Sequence, residues 1–301
     1  MNSPVRPILL GLAGQPNVGK TTVFNLLTGL DQHVGNWAGK TVERAEGRLR
    51  HGDVEATLVD LPGTYSLSAN SAEERVARDF LIFEKPDAVI VIVDASALER
   101  SLYLLAELLA LGLDTPVVLG LNMTDVAAAQ GITIDPAVFS AALGLPVVAL
   151  VARRAQGVAE LTEAALRLAR DPACFAPLRP EIAEPHREVL EDLHALLAAH
   201  VPAPYPARWV ALKLLEGDAE LIALARRWAP EPVWERAAAL LGEHEDAILD
   251  IAAGRYAWIE RMARAAVSRP RLGQVSFTDR LDRVALHPVW GLVMLLGVFA
   301  L

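Results

Sequence analysis

The 301 residues include a single cysteine, Cys174. One thiol excludes an intrachain disulfide framework and any C-x-x-C metal site, and it fits a reducing, cytosolic setting. Positive charge is also scarce: 28 Lys and Arg stand against 37 Asp and Glu, for a net charge of −9. A nucleic-acid partner, which needs a basic face, is therefore not expected. The seven histidines include no H-x-x-x-H or H-E-x-x-H pair. His194 and His200 fall on different helix faces, which suits solvated or capping roles better than metal ligation. No Ser/His/Asp triad, internal repeat or low-complexity tract is present. The first apolar run, residues 8–13, leads straight into a glycine-bearing loop, so it reads as a buried strand rather than a signal peptide.

Material for a core is plentiful, with 53% hydrophobic residues. The length makes two domains the default. Short apolar runs at 8–13, 56–61, 88–94, 116–121 and 146–150 alternate with helical patterns, among them 100–111. Continuous apolar strands separated by helices predict an α/β fold whose mostly parallel sheet is covered on both faces. A proline-rich stretch, 171–185, interrupts the alternation and reads as a linker. Beyond it, segments 187–200, 207–215, 219–228, 232–241 and 243–264 are Ala/Leu-rich and amphipathic. They predict an all-α second domain. The expected boundaries are 1–170, 171–185, 186–275 and a final segment 276–301.

Three motifs follow three of the predicted strands. Gly14-Gln15-Pro16-Asn17-Val18-Gly19-Lys20-Thr21 matches G-x-x-x-x-G-K-[ST], the phosphate-binding loop of P-loop NTPases. Its backbone N–H groups curl round an anion, Lys20 reaches the β and γ phosphates, and the Thr21 hydroxyl suits a magnesium ion. Thr22 continues into a helix whose positive end adds to the anion site. Asp60-Leu61-Pro62-Gly63 places a carboxylate for magnesium and a Gly63 amide for a γ phosphate, although alone it also reads as a capped turn. Asn122-Met123-Thr124-Asp125 ends another strand, where open α/β sheets bind ligands. The Asp125 carboxylate can accept both N1–H and the 2-amino group of guanine, a pair that adenine lacks. Between the first two motifs, Thr41 is the candidate to close on magnesium and the γ phosphate, with Gly35 and Gly39 making its segment pliable. Thr41 also reads as the first residue of an edge strand. Order and spacing together resemble the translation-factor-related GTPases, and they imply GTP and GDP as ligands.

The stretches V-G-N-W-A-G-K-T-V-E, D-L-P-G-T-Y-S-L and N-M-T-D resemble those of the FeoB family of bacterial ferrous-iron transporters. The likeness continues through D-A-S-A-L-E-R-S-L-Y-L, G-R-Y-A-W-I and D-R-L-D-R-V-A-L-H-P-V-W-G-L, and so spans nearly the whole chain. It implies a GTPase domain, a helical spacer domain, and then a membrane permease domain beyond residue 301. It also implies iron transport at the cytoplasmic face of the bacterial inner membrane, small accessory Feo proteins and a homo-oligomer as partners. The catalytic set it implies is Lys20, Thr41, Gly63 and Asn17. Asn17 would hold a potassium ion with backbone carbonyls from the segment of Gly35 and Trp37, while Thr21, Thr41 and Asp60 hold magnesium. Val151, Ala152 and Arg153 line the guanine side, with Ala152 where the family usually carries Ser. Thr64 stands where Ras-like enzymes place the water-orienting glutamine, an absence the family shares, so slow turnover is expected. A soluble GTPase of ribosome or tRNA maturation fits the phosphate loop alone, but it would carry a basic appendage.

Residues 286–301 predict the front of a transmembrane helix. From Pro288 the run is 14 residues of apolar or Gly type, against the roughly 20 of a full span. Trp290 sits at its start, and an upstream excess of Arg places the nucleotide domain in the cytoplasm. The acidic stretch Glu181, Glu184, Glu188, Glu191 and Asp192 reads as a solvated helix face. Trp209, Trp228, Trp234 and Trp258 read as packing residues.

Overall fold

Runs of Val, Ile and Leu without polar alternation must be buried on both faces, and a sheet of that kind forms the centre of the molecule. The computed structural model describes residues 7–268 apart from 38, 53, 69–70, 173–174 and 183–185. Strands β1 (Ile8–Gly14), β2 (Gln32–Asn36), β3 (Glu43–His51), β4 (Val54–Asp60), β5 (Ala88–Asp94), β6 (Val117–Asn122) and, after a two-residue strand β7 (Thr133–Ile134) outside it, β8 (Val147–Ala149) build the sheet. Their order is β2-β3-β4-β1-β5-β6-β8. β4, β1, β5, β6 and β8 run parallel, with Leu10 opposite both Leu58 and Ala88, and Ile90 opposite Val118. β2 and β3 add an antiparallel hairpin at one edge. The sequence did not announce it, because β2 is exposed along its whole length and β3 is mostly charged.

Helices α1 (Lys20–Thr28) and α6 (Val158–Arg170) cover one face of the sheet, packing Phe24, Leu161 and Ala165 against Leu12, Ile90 and Val118. The other face is covered by α2 (Ala72–Asp79), which runs on into a π-helical turn at Phe80–Glu84, and by α3 (Leu98–Ala110) and α5 (Pro136–Leu143). The Ser71 hydroxyl caps α2, and the Asp135 carboxylate accepts from the Ala137 and Val138 amides to cap α5. α4 (Thr124–Ala129) follows β6.

Five further helices follow: α7 (His186–Leu197), α8 (Ala207–Leu215), α9 (Ala219–Trp228), α10 (Glu231–Glu243) and α11 (Ala247–Ala266). They match the five amphipathic segments expected from sequence. Trp209 and Trp258 are fully buried, Trp234 is buried and Trp228 packs at the rim, as packing residues should. α11 lies against α3 and α5, and its core is continuous with that face of the sheet. Within the stretch expected to be a linker, the Leu178 amide donates to the Leu143 carbonyl, and Trp258 Nε1 donates to the Leu178 carbonyl at 2.9 Å. Glu181, Glu188, Glu191 and Asp192 are exposed, as read. Glu184, Cys174 and residues 269–301, the run 286–301 among them, lie outside the described residues. Among the described residues no helix is long and apolar enough to cross a membrane.

Candidate functional site

The three motifs converge at the carboxyl ends of β1, β4 and β6. After β1 the loop turns through two left-handed residues, Asn17 at φ 68° and Gly19 at φ 85°. A short polar side chain tolerates that region, as Asn does. At Gly19 any Cβ would lie 2.5 Å from Asn122 Nδ2, so glycine is required by conformation and by space. Lys20 opens α1, whose first amides face the loop. The Gln15 side chain is buried and donates to the Arg100 carbonyl at 2.7 Å, which fixes the loop to the start of α3.

Lys20 Nζ donates to Asp60 Oδ1 at 2.5 Å, and both side chains are mostly buried. Burial pushes the Asp60 carboxyl up from its ordinary range, opposed by the adjacent Lys20 charge. An acid at the mouth of an anion cradle, costly to ionise without a cation, has the chemistry of a magnesium ligand. The Leu61 amide donates to the Leu12 carbonyl and the Thr64 amide to the Gly14 carbonyl, so D-L-P-G-T is stitched directly to β1. Gly63 passes so near Pro16 that a Cβ would touch its backbone at 3.4 Å. Thr64 is buried. Lys20, Thr21, Asp60 and Pro62, with Val42 and Glu43 across from them, line a cleft of about 390 Å³.

Asn122 does something its sequence motif did not disclose. Its Nδ2 donates to the Val18 carbonyl at 2.9 Å, and its Oδ1 accepts from the Ala152 amide at 3.0 Å. Both ends of the amide are committed, so Asn122 ties the phosphate loop to the Val151–Ala152–Arg153 loop. It positions the site. Met123 takes φ 60° and caps α4, setting Asp125 in the first turn, while the Thr124 hydroxyl donates to the Leu150 carbonyl at 2.9 Å. The mostly buried Asp125 carboxylate is paired with the exposed Arg153 guanidinium. Ala152 is buried, and it meets Asn122 through its backbone amide.

The segment holding Gly35, Trp37 and Thr41 is a folded hairpin. Gly35 lies within β2 opposite Arg44. The Trp37 amide donates to the Val42 carbonyl, and the Trp37 carbonyl accepts from Lys40. Trp37 is buried edge-on against Phe80 at 5.9 Å, with Arg44 over its ring at 4.3 Å. Arg44 also forks onto Glu84 at 2.9 and 3.1 Å, and Lys40 reaches Asp79 at 3.0 Å. The hairpin is thus fastened to the π-helical turn that follows α2. Gly39 takes φ 68° in its turn, and Thr41 is exposed there, outside the lining of the cleft. The structure therefore brings Lys20, Thr21, Asp60 and Gly63 together beside the loop and leaves Thr41 apart.

Sequence reading missed a buried charged cluster altogether. Lys213 Nζ, fully buried in the apolar helix α8, lies 2.9 Å from Glu107 of α3 and 2.6 Å from Glu216. Arg255 of α11 pairs with the same two carboxylates. Lys213 also donates to the Ser68 hydroxyl at 3.3 Å, just past D-L-P-G-T. The available signal was a lone Lys inside the run W-V-A-L-K-L-L.

The profile of the family described as "Ferrous iron transport protein B" matches residues 8–165, and that of the "FeoB cytosolic helical domain" matches residues 185–268. The chain is 39% identical over 304 aligned positions to the "Fe(2+) transporter FeoB" of Escherichia coli strain K12, covering 99% of this chain and 38% of that protein. It is 38% identical to the Salmonella typhimurium protein of the same description, with the same coverage. The chain spans about 38% of the length of the curated relatives it matches. Among solved structures, a mutant S. thermophilus NFeoB bound to GDP superposes with a TM-score of 0.76 at 36% identity, over 87% of this chain and all of that one. The cytosolic domain of the T. maritima FeoB iron transporter in a GDP form gives a TM-score of 0.77 at 32% identity, over 88% of this chain and all of that one. On the family profile, which covers more than half of its residues, and on these likenesses, the chain belongs to the ferrous iron transport protein B family.

Proposed function

We propose that the chain is the GTP-binding and GTP-hydrolysing cytosolic module of a bacterial Fe(II) transporter. The observation that carries the reading is the junction at Asn122, which holds the phosphate loop and the Asp125 loop in one fixed frame. A GDP-bound neighbour of the same fold supports guanine nucleotide as its ligand. The soluble ribosome- or tRNA-maturation reading is not favoured by the family match.

Asp125 would accept the two N–H donors of guanine once it exchanges Arg153 for the base. Val151, Ala152 and Arg153 would flank the base, with Met123 beneath it. Lys20 would leave Asp60 for the β and γ phosphates, while the N–H groups of residues 14–22, Pro16 apart, and the N-terminus of α1 cradle the oxygens. Magnesium, held by Thr21, Asp60 and a closing Thr41, would neutralise charge on the terminal phosphates. Potassium, held by Asn17 and backbone carbonyls of Gly35 and Trp37, would offset the charge that develops on the phosphates during cleavage. The Gly63 amide would hold the γ phosphate. Buried Thr64 stands where Ras-like enzymes carry the longer, water-orienting glutamine, so intrinsic turnover should be slow.

The domain plan of the proposal is a GTPase domain at 1–170, a connector at 171–185, a helical spacer at 186–275 and a juxtamembrane segment at 276–301. A membrane permease part of the same chain, small accessory Feo proteins and a second copy are its proposed partners. The setting is the cytoplasmic face of the inner membrane. The contact of Lys213 with Ser68 gives the helical spacer a handle on the segment next to the γ phosphate. Titration with fluorescent GDP, GTP, ADP and ATP tests the reading, together with phosphate release in potassium and in sodium buffer. Guanine nucleotides alone should bind, and hydrolysis should be faster in potassium. Equal affinity for adenine nucleotides would end the proposal, and equal rates in the two salts would remove Asn17 from its potassium role.

A further inference from the structure

His186 lies about sixty residues before His244, Asp246 and Asp250, and the four meet where the N-terminus of α7 packs on the turn joining α10 to α11. His186 is the buried centre, with its side chain only 4% exposed. Its Nδ1 lies 2.8 Å from Asp250 Oδ2, and its Nε2 lies 3.3 Å from Asp246 Oδ1. The His244 ring stands edge-on to it, with centroids 5.4 Å apart. One ligand atom each from His186, His244 and Asp246 lies within 4.8 Å of the others. The site is far in sequence from every nucleotide motif, and it does not depend on the GTPase reading.

We propose that these residues form a reversible site for a divalent first-row transition metal ion. His186 Nε2, one His244 nitrogen and an Asp246 oxygen are the ligands, and Asp250 is the outer carboxylate that orients His186. Three features carry the assignment. Ligand atoms that share one ion at the bond lengths of His and carboxylate donors lie roughly 3 to 3.5 Å apart, and Nε2 to Asp246 Oδ1 already has that spacing. A ligating histidine commonly gives its other ring N–H to a carboxylate, the place Asp250 occupies. Two imidazoles and one carboxylate suit the Fe(II)-to-Zn(II) series and are poor ligands for magnesium or calcium. Asp246 is 75% exposed, so an ion can enter and leave from solvent, and rotation of the His244 and Asp246 side chains in the turn would complete the closure. Three protein ligands leave coordination positions for water. Binding would clamp α7 to the α10–α11 turn.

The test uses the metal-stripped 301-residue chain, dialysed without oxygen against Co(II), Zn(II) or Fe(II), with Co(II) absorption reporting the ligand set. Two variants, His244→Ala and Asp246→Asn, change residues at the rim and leave the nucleotide machinery untouched. The parent should bind one ion that either variant loses, with affinity lower by tenfold or more, and Zn(II) should raise the melting temperature of the parent alone. Nucleotide affinity should be equal in all three, which shows that the variants fold. Asp250→Asn should weaken the ion about 10- to 100-fold. If the parent and His244→Ala bind metal equally, or if no ion depends on His244, the four residues are a hydrogen-bonded cluster and the proposal is wrong.

Discussion

At the scale of single residues, the site depends on positions where only one side chain, or none, fits. Gly19 is the clearest, because its left-handed backbone and its contact with Asn122 both exclude a Cβ. Gly19→Ala should lower nucleotide affinity at least tenfold and cost about 1–3 kcal/mol of stability, read by titration and thermal melting; an unchanged protein would place Asn122 outside the junction. The motif residues themselves were legible in sequence, because phosphate chemistry restricts them to Gly, Lys and Thr at fixed spacing. What Asn122 does was not legible, since its partners at Val18 and Ala152 are brought to it by strand order. His186 was hidden for the same reason: its carboxylate partners lie about sixty residues away and no local pattern marks them.

At the scale of elements, the buried strands were readable to within a few residues because continuous Val/Ile/Leu runs admit one environment. The β2–β3 hairpin was not, since its order comes from contacts with the π-helical turn rather than from its own composition. Its turn is where Thr41 would act. Thr41→Ala should leave GDP affinity unchanged and reduce hydrolysis severely; an equal loss for GDP and GTP would take Thr41 out of the switch. The join between α3, α8 and α11 rests on the Glu107–Lys213–Arg255–Glu216 cluster. Burial opposes the Glu107 charge, but Lys213 and Arg255 outweigh it and hold its carboxyl below its ordinary 4.5. Its contribution is therefore complete above about pH 4.5 and is lost as pH falls through the folded value. Burial likewise opposes the Lys213 charge, yet Glu107 and Glu216 hold its ammonium above the ordinary 10.5, so its share is lost only as pH rises through that folded value. Lys213→Met should cost about 3–5 kcal/mol at neutral pH, measured by denaturant melts, and Glu107→Gln should flatten the acid limb. A neutral Lys213→Met would mean that the cluster does not hold the helices.

At the scale of the whole molecule, helices α7 to α11 share one core with a face of the nucleotide-motif sheet, and Lys213 touches Ser68 just past D-L-P-G-T. That arrangement suits a nucleotide switch that reports to a neighbouring domain. In a transporter that carries this chain as its proposed nucleotide module, Lys20→Ala should reduce Fe(II) uptake into liposomes to the level seen without GTP; undiminished uptake would separate nucleotide from transport. The direct test of the central assignment is nucleotide exchange at Asp125. Phosphate release by the parent chain and by Asp125→Asn is measured with GTP, ATP and xanthosine triphosphate. Because the proposal has the carboxylate pair with two guanine N–H donors, the parent should hydrolyse GTP and leave ATP untouched. The variant should lose GTP by about a hundredfold, on the order of 3 kcal/mol for a charged hydrogen-bond pair, and gain xanthosine triphosphate. Unchanged GTP hydrolysis in Asp125→Asn would contradict the assignment.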